Sequence, residues 1–244
     1  MNSISQIRRM LPLYGIIFLL CIVIAQVSSE VVTAVAEHSP IPCRSHIVID
    51  AGHGGIDGGA ISYTGIPESR INLQIAERVN DLMHFLGYET VMLRKTDTSL
   101  HTDGKTIAQQ KISDLKNRVS IINRTSNAIV ISIHQNTFSD PKYSGSQVFY
   151  GRNMNKSEEL AKCIQSALSL TLNSKNRRTV REAKGIYLME HIQCEGVLIE
   201  CGFISNPDEE LLLRNVQYQK KLSGVIACAT STYLYKQQKQ QGSV

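Results

Sequence analysis

The sequence predicts a single α/β domain with a mainly parallel, twisted sheet and helices on both faces. Three observations predict it. Short branched runs such as HIVIDAG, NAIVISIHQN and GVLIECG alternate with longer segments of helical period. The runs are apolar almost throughout, as strands buried on both faces are. Once an N-terminal leader is set aside, roughly 200 residues remain, which suits one core.

The elements follow in order. HIVIDAG (46–52) reads as a buried strand ending in glycine. From Pro67, Ile71, Ile75, Val79, Leu82 and Leu86 recur at helical spacing, and Gly87 supplies the stop. YETVMLRK (88–95) is a second strand, followed by the polar loop TDTSLHTDGKT. AQQKISDLKNRVSIINRT is helical, with Ile112, Leu115, Val119 and Ile122 expected on its inner face. NAIVISIHQN (127–136) and GSQVFYG (145–151) are strands, and a helix is expected at about 155–172. The basic segment SKNRRTVREAK reads as a solvated loop or as a patch that attracts carboxylates, GIYLM as a short strand and GVLIECG (196–202) as a central strand. Two helical segments, NPDEELLLRN and VQYQKKLSGVIACATSTYLYK, complete the domain. The implied organisation is a leader at 1–29, a linker at 30–45, a catalytic domain at 46–236 and a tail at 237–244.

The leader places Arg8 and Arg9 before an apolar stretch (10–25) and small polar residues. That order is an export signal, either cleaved or kept as an N-terminal anchor. The apolar stretch is shorter than the ~20 residues a full span prefers. The expected location is therefore outside the cytoplasm, with membrane contact only through the leader. Net charge is +5, and without residues 1–29 it is 24 basic against 21 acidic, or +3. That mild excess suits an acidic substrate and argues for no nucleic-acid role. Cys21 lies in the leader. Cys43, Cys163, Cys194, Cys201 and Cys228 lack metal-type spacing and read as buried free thiols.

Chemistry is expected where strands end, because open α/β sheets bind ligands beyond the carboxyl ends of their strands. His53 follows one strand, His134 ends another and Glu200 ends a third, while Glu68 opens the helix after Pro67. Two imidazoles and carboxylates on one rim are the ingredients of a catalytic zinc site. Singly, each residue has a plainer role: a bonded strand-end histidine, or a glutamate favouring a helix dipole. The five glycines of VIDAGHGGIDGGA permit tight turns and close backbone approach. They match neither a dinucleotide fingerprint nor a phosphate loop.

In order along the chain, IDAGHGGIDGGA, ESRINL, LRKTD, LKNRVSIIN, ISIHQN and VLIECGFISN cover residues 46–236 almost completely. Through these motifs the chain resembles the zinc-dependent N-acetylmuramoyl-L-alanine amidases of bacterial cell walls, and most nearly their sporulation members, which act on spore cortex. The resemblance implies one zinc ion held by His53, Glu68 and His134, with Glu200 as the catalytic glutamate. It also implies cleavage of the amide between muramic acid and L-alanine, leading towards muramic lactam through a downstream deacetylase. Peptidoglycan strands with stem peptides are the implied partners, together with an accessory activating protein. Asn136 is expected either to contact substrate or to brace its strand end. Asp50 and Asn72 are read as orienting the zinc ligands or serving turns and caps. Many relatives have alanine where Gln135 stands.

Two other readings compete. One is a non-catalytic wall-binding protein on the same fold. The other is a thiol hydrolase using Cys201 or Cys194 with His134. Cys201 directly follows Glu200, so on a strand the two face opposite ways.

Overall fold

The computed structural model describes residues 45–152, 155–173 and 175–241. The leader, nearly all of the linker, Cys21 and Cys43 lie outside the described residues. The elements are β1 (His46–Ala51), α1 (Glu68–Phe85), β2 (Glu89–Met92), α2 (Ile107–Arg124), β3 (Ala128–Asn136) and β4 (Gln147–Tyr150). They continue with α3 (Asn155–Thr171), β5 (Arg181–Glu182), α4 (Tyr187–His191), β6 (Glu195–Phe203), α5 (Pro207–Arg214) and α6 (Val216–Gln241).

The six strands lie in the order β2-β1-β3-β6-β4-β5. The first four are mutually parallel, β4 runs antiparallel to β6, and β5 pairs parallel to β4. The expected fold class therefore holds. The apolar strand residues point alternately to two layers. Ile49, Ile131, Val197 and Ile199 join buried residues of α1, α3 and α6 in the larger core. Val48, Val130 and Leu198 join Ile122 of α2, Leu188 and Met189 of α4, and the adjacent Ile192 in the smaller one.

Local chemistry starts and stops the helices where the sequence allows. Thr106 and Gln109 form a reciprocal cap on α2. Asn206 accepts from the Asp208 and Glu209 amides at the start of α5, with Pro207 in the first turn. No side chain caps α1. Its first amides instead reach back to the glycine loop, Glu68 N–H to the Ala60 carbonyl at 2.8 Å and Ser69 N–H to the Gly58 carbonyl at 3.0 Å. Helix and loop are thereby fixed to each other.

Three expectations are corrected. The GIYLM stretch is not a strand: Tyr187–His191 forms the short helix α4. The basic segment is not all loop, since Arg181–Glu182 pairs with Phe149 and Tyr150 of β4. The inner face of α2 is only partly the aliphatic stripe: Ile122 lies in the smaller core and Val119 packs against it. Ile112 is 53% exposed, whereas Ser113, Asp114, Arg118 and Ile122 are buried. A buried polar contact stands beside the apolar packing there. Helix α6 also continues past 236, through Gln241.

Candidate active site

At the carboxyl edge of the sheet, β1 ends in the turn that carries His53. That residue has φ +61°, a left-handed conformation uncommon for a side chain larger than glycine. Two buried arginines hold the turn from beneath. Arg94 Nε donates to the Ala51 carbonyl (2.8 Å) and its Nη2 to the Gly52 (3.0 Å) and Ser69 (2.8 Å) carbonyls. Arg118 donates to the Ala51 (2.9 Å) and His53 (2.6 Å) carbonyls and pairs with Asp50 and Asp114. Asn123, near the end of α2, serves the His191 carbonyl and the Gln193 amide.

The glycines answer to neighbouring ligand candidates. A Cβ on Gly52 would run into the imidazole of His134. At Gly59, φ is +69°, and a Cβ would sit 2.6 Å from Glu68 Oε2 and 2.7 Å from His53 Cδ2. Close approach and a left-handed backbone both require glycine there.

Glu68 stands between the two imidazoles. Its Oε1 lies 3.1 Å from His134 Nδ1 and its Oε2 lies 3.3 Å from His53 Nε2. One donor atom from each of His53, Glu68 and His134 falls within 4.8 Å of the others. Asn72 Nδ2 (3.0 Å) and the Gln135 amide (3.0 Å) donate to Oε1, and the Ala60 amide (3.0 Å) donates to Oε2. Burial alone would raise the Glu68 carboxyl. The hydrogen bond and charge of His134, with His53 and Asn72 behind them, hold it at about 2. His53 is oriented from behind by Asp57, whose Oδ2 lies 2.9 Å from Nδ1. Lys111 Nζ lies 2.7 Å from the other oxygen of Asp57.

Glu200 sits across the β3–β6 ladder from His134, and Gln147 of β4 flanks it on the other side. Burial pushes its carboxyl up to about 7, and the Glu68 charge adds to this against the pull of the two histidines. Its Oε2 is buried with no hydrogen-bond partner among the described residues. A buried carboxyl oxygen left unpaired beside two imidazoles is poised for a proton.

The structure thus brings His53, Glu68, His134 and Glu200 to one rim. Asn136 ends β3 opposite Phe203, and its Oδ1 accepts from the Thr137 amide at 2.8 Å, which braces the strand end. Asn72 does orient Glu68. Asp50 bonds Ser132 and Arg118 and so acts one layer below. Sequence reasoning missed Asp57 and Lys111; the i, i+4 spacing of His53 and Asp57 was the available signal. It also left Gln135 unplaced: beyond its amide contact to Glu68, Gln135 Nε2 reaches Asn72 Oδ1 at 3.1 Å. The thiol reading fails on geometry. Cys201 is buried in the larger core, on the face away from Glu200, and burial pushes its thiol far up. Cys194 lies just before β6, at the opposite end of that strand from Glu200, and burial pushes it up to about 11.

Comparison with known proteins gives the family. The family model for N-acetylmuramoyl-L-alanine amidase matches residues 47–231. The germination-specific N-acetylmuramoyl-L-alanine amidase of Bacillus subtilis is 40% identical over 181 residues, covering 74% of this chain and 76% of that protein. The CwlD amidase of Clostridioides difficile, solved in complex with the GerS lipoprotein, superposes with TM-score 0.75 at 38% identity, covering 78% of this chain and 98% of that one. A second amidase, from Clostridium difficile 630, gives TM-score 0.69 at 29% identity, covering 79% and 97%. The chain belongs to the N-acetylmuramoyl-L-alanine amidase family of peptidoglycan hydrolases.

Proposed function

We propose that this amidase is zinc-dependent and acts on spore cortex, removing stem peptides from muramic acid so that muramic lactam can form. The observation that carries the reading is the convergence of His53, Glu68 and His134 beside Glu200. Two imidazoles and one carboxylate fit zinc, which takes three protein ligands in catalytic sites and keeps a position open. Asp57 on His53 and Asn72 on Glu68 are the outer contacts such a site needs.

His53, Glu68 and His134 would hold the ion. When bound, zinc supplies Lewis acidity for the amide carbonyl and for the attacking water. Glu200 does the proton work. Its carboxylate takes a proton from water as the oxygen adds to the lactyl carbonyl, then delivers it to the L-alanine nitrogen as the C–N bond breaks. Asn136 is read as a substrate contact through its amide nitrogen. Export by the N-terminal leader would bring the enzyme to peptidoglycan. The relative solved with a lipoprotein supports an accessory partner of that kind here. A deacetylase would act next on the exposed muramic acid.

Glu200→Gln tests the assignment. Zinc content and melting temperature should stay near wild type while turnover falls by about 10²–10⁴-fold, the usual loss on removing acid–base catalysis. Near-normal peptide release by a zinc-loaded variant would remove Glu200 from the mechanism. Mass analysis of spore peptidoglycan tests the substrate: strains lacking the protein should lose muramic lactam.

A further inference from the structure

Beside the histidines lies a cavity of about 350 Å³, near the lower end of the ~300–1,000 Å³ typical of ligand sites. His53 and His134 form one wall, Lys111 and Leu115 of α2 a second, and Ile186 and Tyr187 at the start of α4 a third. It lies on the same sheet face as Glu200, since Leu198, two residues earlier on β6, also lines it. Resting on the amidase reading above, we propose that this cavity receives the stem peptide and that Lys111 binds the free α-carboxylate of the residue after L-alanine.

Shape and charge both favour the peptide over the glycan. A glycan strand continues in both directions and needs an open groove, whereas a space walled by α2 and α4 admits a branch. Leu115 and Ile186 offer apolar surface for a methyl side chain. The carboxylates bordering the cavity are already tied to cations: Asp57 to Lys111, and Asp50 and Asp114 to Arg118. Lys111 is 46% exposed and has three N–H donors, of which the contact with Asp57 uses one. It is therefore held in place with donors left for an incoming anion.

The test compares two substrates with the zinc-loaded full chain. Both are glycan fragments carrying L-alanyl-D-glutamyl stems, one with the glutamyl α-carboxylate free and the other with it amidated. Wild type should show about tenfold lower KM for the free acid. Lys111→Met should erase that preference, and Lys111→Arg should keep it. Loss of His53 alignment or of zinc would depress kcat on both substrates alike and leave the KM ratio unchanged. A ratio of one in wild type, or a ratio retained in Lys111→Met, would overturn the assignment while leaving the amidase reading intact. Release of peptide from neither substrate would sink the amidase reading itself.

Discussion

Two consecutive rows of the same strands differ in kind. Ile49, Ile131 and Val197 lie in register on the α1–α3–α6 side and are fully buried among aliphatic neighbours. One residue on, Asp50 and Ser132 lie in register on the α2 side and meet Arg118, which is itself 2% exposed. The first row is held by apolar area removed from water, which is strong but has no direction. The second is held by charge-assisted hydrogen bonds, which contribute less net stability and fix orientation. The rim that carries His53, His134 and Glu200 rises from the second. Arg118 grips the carbonyls of Ala51 and His53, so the polar layer sets the path of the turn that presents His53.

The comparison can be broken most severely at Arg118. Arg118→Met leaves Asp50 and Asp114 without their cation and takes its donor from the His53 carbonyl, while Ala51 keeps the one from Arg94. Removing one partner of a buried ion pair typically costs about 3–5 kcal/mol. Zinc content of the folded fraction should fall as well, because the His53 turn loses its anchor. Chemical denaturation and metal analysis on one preparation check both, and full zinc occupancy would show the turn to be independent of the polar layer.

On the other side, Leu160→Ala should cost about 3 kcal/mol, within the usual range for a buried leucine. Here the specific activity of the folded protein should stay near wild type. A parallel loss of activity would mean that the apolar layer also sets the rim.

Ser132→Ala is the mildest of the three, at about 1.5 kcal/mol for a hydrogen bond to a charged group. Its urea midpoint should shift without loss of zinc.

Acid sharpens the same contrast. Burial would raise the Asp50 carboxyl, but the charges of Arg118 and then His134, with hydrogen bonds from Ser132 and Arg118, hold it below its ordinary 3.8. A depressed carboxyl stabilises the fold fully above its unfolded pKa, and that contribution is lost as pH falls through the folded value. The stability gap between wild type and Arg118→Met should therefore narrow as pH drops below about 4. A gap that stays constant down to pH 2.5 would place the Arg118 effect elsewhere than in its pairing with Asp50.

Much of this was legible beforehand, for identifiable reasons. β1, β3 and β6 are long apolar runs with polar ends, so His53, His134 and Glu200 announced themselves as rim residues. Glu68 was legible because Pro67 marks a helix start. Asp57 was hidden because its contact depends on the local Gly54–Asp57 bridge that folds the loop back on itself. Lys111 and the Arg118–Asp50 pair were hidden because Asp57 and Asp50 lie far from α2 in sequence, and a helical stripe reads as aliphatic by period alone. Gly185–Met189 was misread because five residues are too few to separate a strand from a helical turn.

The outer strands have a consequence for how the molecule meets copies of itself. β2 spans four residues and β5 only two, and β5 consists of Arg181 and Glu182. Short, charged borders give another chain little backbone to pair with, so sheet-to-sheet growth is disfavoured at either end. The described sheet is thus guarded at its borders against aggregation by β-pairing.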